Sequence, residues 1–172
     1  MVVAKNAKSQ KYLVEQLQSH SIAREYSAIV YGHMISGGTL DYPIGRDPRD
    51  RVKQCVLNNG KESITHYRVI NRFLYHTHVK AILETGRTHQ IRVHLAHIGH
   101  PLIGDPLYGG RVRFPKKACQ ELKDELINFQ RQALHSKKLT LIHPETGKSM
   151  SWKVELPNDM KELIDCLNSF DS

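Results

Sequence analysis

The chain of 172 residues carries 25 Lys+Arg against 17 Asp+Glu, a formal charge of +8 with its 11 histidines neutral, and 40% of its residues are hydrophobic. Those proportions exclude collagen-like, disordered and disulfide-scaffold chains, and one domain of this length buries about 70% of its unfolded surface. The scattered Cys55, Cys119 and Cys166 read as free thiols, and with neither an apolar run of membrane-spanning length nor a signal peptide the chain reads as cytoplasmic, with no membrane partner.

Residues 1–5 read as a short strand, and Ala7, Lys11, Val14 and Leu17 have the spacing of a helix over 7–18. Residues 24–32 alternate and are rich in Tyr, Ile and Val, which predicts a strand. Gly37-Gly38 then signals a hairpin returning through Thr39, Leu40 and Asp41. Further strands are expected over 51–57, 65–73 and 75–84; in the last, Val79, Ala81 and Leu83 point one way, and His76, His78 and Lys80 less regularly the other. At 88–98 the period changes: Ile91, Leu95 and Ile98 are spaced for a helix with Thr88 as its N-cap. After a Gly/Pro-punctuated loop, a helix over 117–130, a hairpin pairing 137–143 with 150–156, and a closing helix over 159–169 complete the chain. No repeat or linker divides it. The expectation is a single α+β unit over 1–172, with a mixed, largely antiparallel sheet and flanking helices.

The charge is uneven. Residues 1–60 carry a net +3, residues 61–120 a net +7 and residues 121–172 a net −2. An excess gathered in the middle third suits a polyanion, although a generic basic surface gives the same count. Two clusters stand on predicted loops: Arg46, Arg49, Arg51 and Lys53, then Arg111, Arg113 and Lys116. Basic loops with Tyr and Phe nearby suit phosphate contact and base stacking; the alternative is a pair of solvated turns.

The densest stretch runs from Gly86 to Gly109. Its predicted helix turns Ile91, Leu95 and Ile98 to the core and leaves His89, Arg92 and Ala96 on a shared polar side. Arg92 at the border can aim its planar fork at a carboxylate or phosphate, or stand as a solvated helix residue. His89, His94, His97 and His100 raise the alternative of a metal-dependent hydrolase, but no Cys or carboxylate sits at ligand spacing. No Walker or dinucleotide fingerprint occurs, so no nucleotide cofactor is expected. Asp105, between Gly104 and Pro106, reads as a turn residue rather than a catalytic carboxylate.

Taken together, these motifs resemble the RluA/RluD-type ribosomal large-subunit pseudouridine synthases. The similarity rests on Gly-Arg-Thr-His-Gln-Ile-Arg-Val-His at 86–94, Gly-Asp-Pro-Leu-Tyr-Gly at 104–109, Arg24-Glu25-Tyr26, the segments 43–46 and 60–67, and Leu134-His135. The resemblance implies a mixed sheet crossed by a basic cleft. It also implies isomerisation of uridine in structured RNA, above all large-subunit ribosomal RNA, with no metal or organic cofactor. Tyr26 matches the active-site tyrosine that stacks on the base, Arg92 the arginine that pairs with the catalytic aspartate, and Leu134 a hydrophobic wall of the pocket. Arg87, His89 and Gln90 join Arg46, Arg49, Arg51, Lys53, Arg111, Arg113 and Lys116 as expected RNA contacts.

One departure matters. The family's aspartate belongs to a His-Arg-Leu-Asp stretch, and no such stretch occurs in these 172 residues. The expectation is a catalytic domain lacking its first strands, its catalytic aspartate and any S4-type RNA-binding domain. Such a chain would be inactive alone, would leave Arg92 without its carboxylate, and would be open to self-association through an exposed sheet edge. A non-catalytic RNA-binding module is the alternative.

Overall fold

Strand β1 (Ala23–Tyr31) runs through the middle of the sheet and is buried on both faces from Ser27 onward. Ala28 and Val30 face one layer while Ile29 and Tyr31 face the other, the two-residue period of a strand covered on both sides. The computed structural model describes residues 2–171. Around β1 it places α1 (Ala7–Gln18), β2 (Gly38–Asp41), β3 (Ile44–Arg46), β4 (Gln54–Val56), β5 (Ile64–Arg72), β6 (His76–Leu83), α2 (Gln90–His97), α3 (Gln120–Asn128), β7 (Leu134–Ile142), β8 (Ser149–Lys153) and α4 (Asn158–Asp171).

Six strands form one sheet in the order β2-β5-β6-β1-β7-β8, and β3 with β4 forms a separate two-stranded sheet. Every pairing is antiparallel, so the sheet is not mixed. On one face Ile29, Tyr31, Phe73 and Ile103 pack against Leu122 and Leu126 of α3 and Met160, Leu163 and Leu167 of α4. On the other, Ala28, Val30, Val79, Ala81 and Leu83 pack against Ile91 and Leu95 of α2. Fully burying a side chain of this size contributes about 1.5–3 kcal/mol, so these two layers are the main source of stability.

Helix α1 has the expected bounds. Asn6 caps it by accepting from the Ser9 N–H (2.8 Å). Its Gln16 side chain fastens it to β7, donating to the Ile142 carbonyl and accepting from the Ile142 N–H, each at 2.8 Å.

Elsewhere the structure departs from the expectation. Residues 2–5 form no strand, and Met1 lies outside the described residues. The chain after Gly37 does not fold back on β1, because β6 and β7 occupy both edges of that strand; β2 pairs with β5 instead. The strand expected over 51–57 shortens to β4, whose partner is the three-residue β3. Helix α2 starts at Gln90 with His89 at the N-cap in the left-handed region (φ 58°), not with Thr88. His76 and His78 are as buried as their alternate neighbours, and burial pushes both ring pKa values down to about 4. Edge strand β8 is exposed along its whole length, Trp152 included. None of the described helices is long and apolar enough to cross a membrane.

Candidate functional site

The turn from β6 into α2 is built around one amide. Gln90 is 2% exposed, and all four hydrogen-bonding positions of its side chain are filled. Its Oε1 accepts from the Thr85 hydroxyl and the Arg87 N–H (both 2.9 Å), and its Nε2 donates to the Ile64 carbonyl (2.9 Å) and Thr65 Oγ1 (3.0 Å). Gln90 therefore faces the interior and shapes the loop, rather than lying open to RNA as the sequence suggested. Arg87, beside it, is exposed, and its Nε donates to the Glu62 carbonyl (3.0 Å).

Arg92 is buried rather than bordering solvent, and it does have a carboxylate partner. Its Nε and Nη2 donate to Asp105 Oδ2 and Oδ1, both at 2.7 Å, and the Asp105 side chain is fully enclosed. Arg92 thus has a carboxylate partner inside the chain, though not the His-Arg-Leu-Asp aspartate that the resemblance pairs with it. Asp105 is the turn residue the sequence suggested, with Oδ1 also accepting from the Leu107 N–H (2.9 Å) and the Tyr108 N–H (3.0 Å). The same turn brings the acid under α2, a long-range contact that local spacing does not reveal. Burial alone would raise the Asp105 carboxyl pKa, but Arg92 and the two N–H groups outweigh it and hold the carboxyl below its usual range. In return the Asp105 hydrogen bonds raise the Arg92 pKa against its burial. Nη1 makes no hydrogen bond among the described residues, so one edge of the guanidinium stays free for another group.

Tyr108 supports this pair from below. Its ring centroid lies 4.9 Å from Arg92 Cζ, and its hydroxyl accepts from the Gln54 N–H (2.9 Å) and is hydrogen-bonded to His89 Nδ1 (3.0 Å). The contact ties α2 to the β3–β4 hairpin. His89 is half-buried, and burial together with the Arg92 charge lowers its pKa, with Asp105 opposing.

Tyr26 and Leu134 are half-buried and pack against the same core layer as Ile91 and Leu95. Tyr26 therefore lies on the α2 face of the sheet, as does Arg92's helix. It also lines an apolar hollow beneath α1 together with Leu13, Val14, Leu17, Arg24 and Leu139.

The basic residues divide. Arg46, Arg49 and Arg51 are exposed on the β3–β4 hairpin, whose turn Asp47 caps by accepting from the Arg49 N–H (2.8 Å), while Lys53 leans toward Asp50 (3.8 Å). Arg46 and Lys61 line one hollow with Gly86, Arg87 and Thr88. Arg111, Arg113 and Lys116 are also exposed, but Arg113 stacks over Tyr31 (5.7 Å), a residue of the α3/α4 layer, and does not share that hollow.

The histidines work separately. Since the Tyr42 carbonyl can only accept, His94 Nε2 donates to it (2.9 Å), and Nδ1 takes the Thr65 hydroxyl (3.0 Å). His100 Nδ1 donates to the Tyr31 carbonyl (2.9 Å). Among the described residues no three His, Cys, Asp or Glu side chains come together in a metal-holding group, so the metal-hydrolase alternative has no cluster to stand on.

Two residues escaped the sequence reading: Tyr108, and Arg24 on the same strand face as Tyr26. The second was accessible, since residues i and i+2 of a strand share a face.

Comparisons with known proteins agree on one family. A family model described as RNA pseudouridylate synthase matches residues 1–97. The ribosomal large subunit pseudouridine synthase D of Escherichia coli K12 is 52% identical over 169 residues, which cover 98% of this chain and 52% of that protein. The protein of the same name from Pseudomonas aeruginosa is 53% identical over 167 residues, covering 97% and 52% respectively. The chain thus spans about half the length of these relatives. Among solved structures, human RNA pseudouridylate synthase domain containing 1 superposes with a TM-score of 0.73 at 26% identity, over 95% of this chain and 66% of that one. Human RNA pseudouridylate synthase domain containing 4 shares the fold, with a TM-score of 0.76 at 23% identity over 98% of this chain and 70% of that one.

Proposed function

This chain belongs to the RNA pseudouridylate synthase family, and from that premise we propose that it serves the isomerisation of uridine to pseudouridine in large-subunit ribosomal RNA. The observation that carries the proposal is the likeness to ribosomal large subunit pseudouridine synthase D, 52% identity over 98% of the chain, beside the family-model match over residues 1–97. In the reaction, the N1 glycosidic bond of uridine breaks, the uracil turns, and C5 joins C1′. A base handled this way must leave its stack and be held while detached.

The roles follow from position. Tyr26 offers a ring for the uracil to stack on, and Leu134 walls the same face. Arg92, fixed by Asp105 along its Nε–Nη2 edge, keeps Nη1 free to meet a carboxylate or a polar edge of the base. Arg46, Arg49, Arg51, Lys53 and Arg87 take the RNA backbone, with His89 beside them; Arg111, Arg113 and Lys116 serve a more distant stretch. Asp105 is already bound by a guanidinium and two N–H groups, so it is not the reactive carboxylate. A polypeptide of these 172 residues alone therefore binds RNA and does not turn it over. Self-association through the open β8 edge belongs to the same proposal, and a monomer by sedimentation would remove that part.

The test supplies the purified chain with large-subunit ribosomal RNA, alone and in a version carrying an added His-Arg-Leu-Asp segment. Pseudouridine in the second sample only, abolished there by Tyr26→Phe or Arg92→Ala, is the expected result. A version with that segment that leaves every uridine unchanged overturns the proposal.

A further inference from the structure

At the start of β1, Arg24 lies against the backbone of Gly86. A Cβ at position 86 would collide with the Arg24 guanidinium, so glycine there is what lets the side chain lie flat on the loop. Among the described residues the buried Arg24 Nε has no hydrogen-bond partner, an expensive state for a charged donor. Arg87 flanks the same glycine from the other side, and both arginines line one hollow with Leu17, Gln18 and His20. Among the described residues neither guanidinium has a carboxylate within ion-pair distance. Glu84 Oε2 is engaged with His66 Nε2 (2.9 Å) and Glu25 with Lys80 (3.6 Å), while Glu62 meets Arg87 through its backbone carbonyl (3.0 Å).

Two cations side by side with no counter-charge repel one another and call for an anion between them. The free N–H groups of two guanidinium forks match the oxygens of a phosphate. Position narrows the choice of anion. Arg24 and Tyr26 share one face of β1 and line one hollow, two residues apart, about 7 Å along a strand. On the far side, Arg87 continues into the hollow with Arg46 and Lys61. The line from an aromatic ring, through two unpaired arginines, to a basic hairpin follows a nucleic-acid backbone rather than a small free anion.

We propose that Arg24 and Arg87, on either side of Gly86, form a binding site for one RNA backbone phosphate next to the base that stacks on Tyr26. This rests on the reading of the chain as RNA-binding and adds Arg24 to its contacts.

Affinity of the 172-residue chain for a uridine-containing single-stranded RNA, measured across a salt series, tests the site. Arg24→Gln is expected to weaken binding about tenfold and to lower the salt slope by roughly one contact's worth. Arg24→Lys is expected to recover part of the loss. Because the two arginines share one phosphate, Arg24→Gln with Arg87→Gln is expected to lose less than the sum of the single losses. Inorganic phosphate alone is expected to show no saturable binding. The proposal is overturned by unchanged affinity and slope in Arg24→Gln while neutralising Arg46, Arg49 and Arg51 still weakens RNA binding, a result that leaves the RNA-binding reading intact. It is also overturned if Arg24→Lys binds as poorly as Arg24→Gln, if the two losses add fully, or if free phosphate binds saturably through Arg24. No RNA binding by any version removes the underlying reading itself.

Discussion

The guanidinium of Arg92 and the carboxylate of Asp105 form a buried two-point ion pair, 2.7 Å at each contact, that joins α2 to the loop at 104–109. Removing one partner of such a pair leaves an uncompensated charge in the interior, which costs about 3–5 kcal/mol. Asp105→Ala is expected to lower unfolding stability by that amount in urea titrations. Arg92→Met with Asp105→Leu is expected to recover much of the loss. A cost below about 1 kcal/mol for Asp105→Ala would mean that the pair does not hold the loop.

Acid should weaken the fold through two buried histidines. His76 and His78 have folded pKa values near 4, against 6.5 for the unfolded chain. Between those values the unfolded state binds more protons, so the stability due to both rings is full above about pH 6.5 and is lost as the pH falls toward 4. By linkage each is worth up to ~3 kcal/mol. Among the described residues His76 Nε2 has no hydrogen-bond partner, and its ring packs on Tyr31 (5.3 Å), so His76→Phe should flatten the fall in urea midpoint from pH 7 to 4.5. An unchanged fall would assign the acid sensitivity to other groups. Asp105 acts with the same sign at lower pH, because its depressed carboxyl stabilises the fold until it is protonated.

The hairpin carrying Arg46, Arg49 and Arg51 should set the salt dependence of RNA binding. Changing all three to Gln is expected to weaken binding to every RNA sequence alike and to lower the slope of log affinity against log salt by about two to three units. An unchanged slope in filter-binding or fluorescence titrations would show that these residues do not meet the backbone.

Gly104 has a positive φ of 67°, and a Cβ there would run into the carbonyl oxygens of Arg131 and Phe129. Gly104→Ala is therefore expected to lower stability by several kcal/mol and to reduce RNA affinity indirectly, through loss of the loop that supports Arg92. Thermal melting within a degree of the parent would contradict the close approach.

Much of the frame was legible because its signals are local. The helix at 7–18, the strands around β1, β5 and β6, and the closing helix each show their own period. What escaped depends on distant parts of the chain. The three-residue β3 is too short to have a period and is defined by pairing with β4. The partner of β2 is decided by which edges are already occupied. At the site, the motifs led to Tyr26 and Arg92, and Asp105 was correctly read as a turn residue. That a turn residue also neutralises a helix arginine is a three-dimensional fact. Gln90 misled because a polar residue beside basic ones reads as exposed until its four partners are known.

Strand β1 pairs Tyr26 with Ala81 on one side and with Ser136 on the other, so the strand bearing the stacking ring is completed only by segments made much later. The β5–β6 and β7–β8 hairpins can close from neighbouring sequence, whereas β1 must wait for both. During synthesis β6 becomes available to this strand well before β7, so one of its edges stays open until β7 has emerged. A break between β6 and β7 therefore leaves one edge of the strand that carries Tyr26 without its partner.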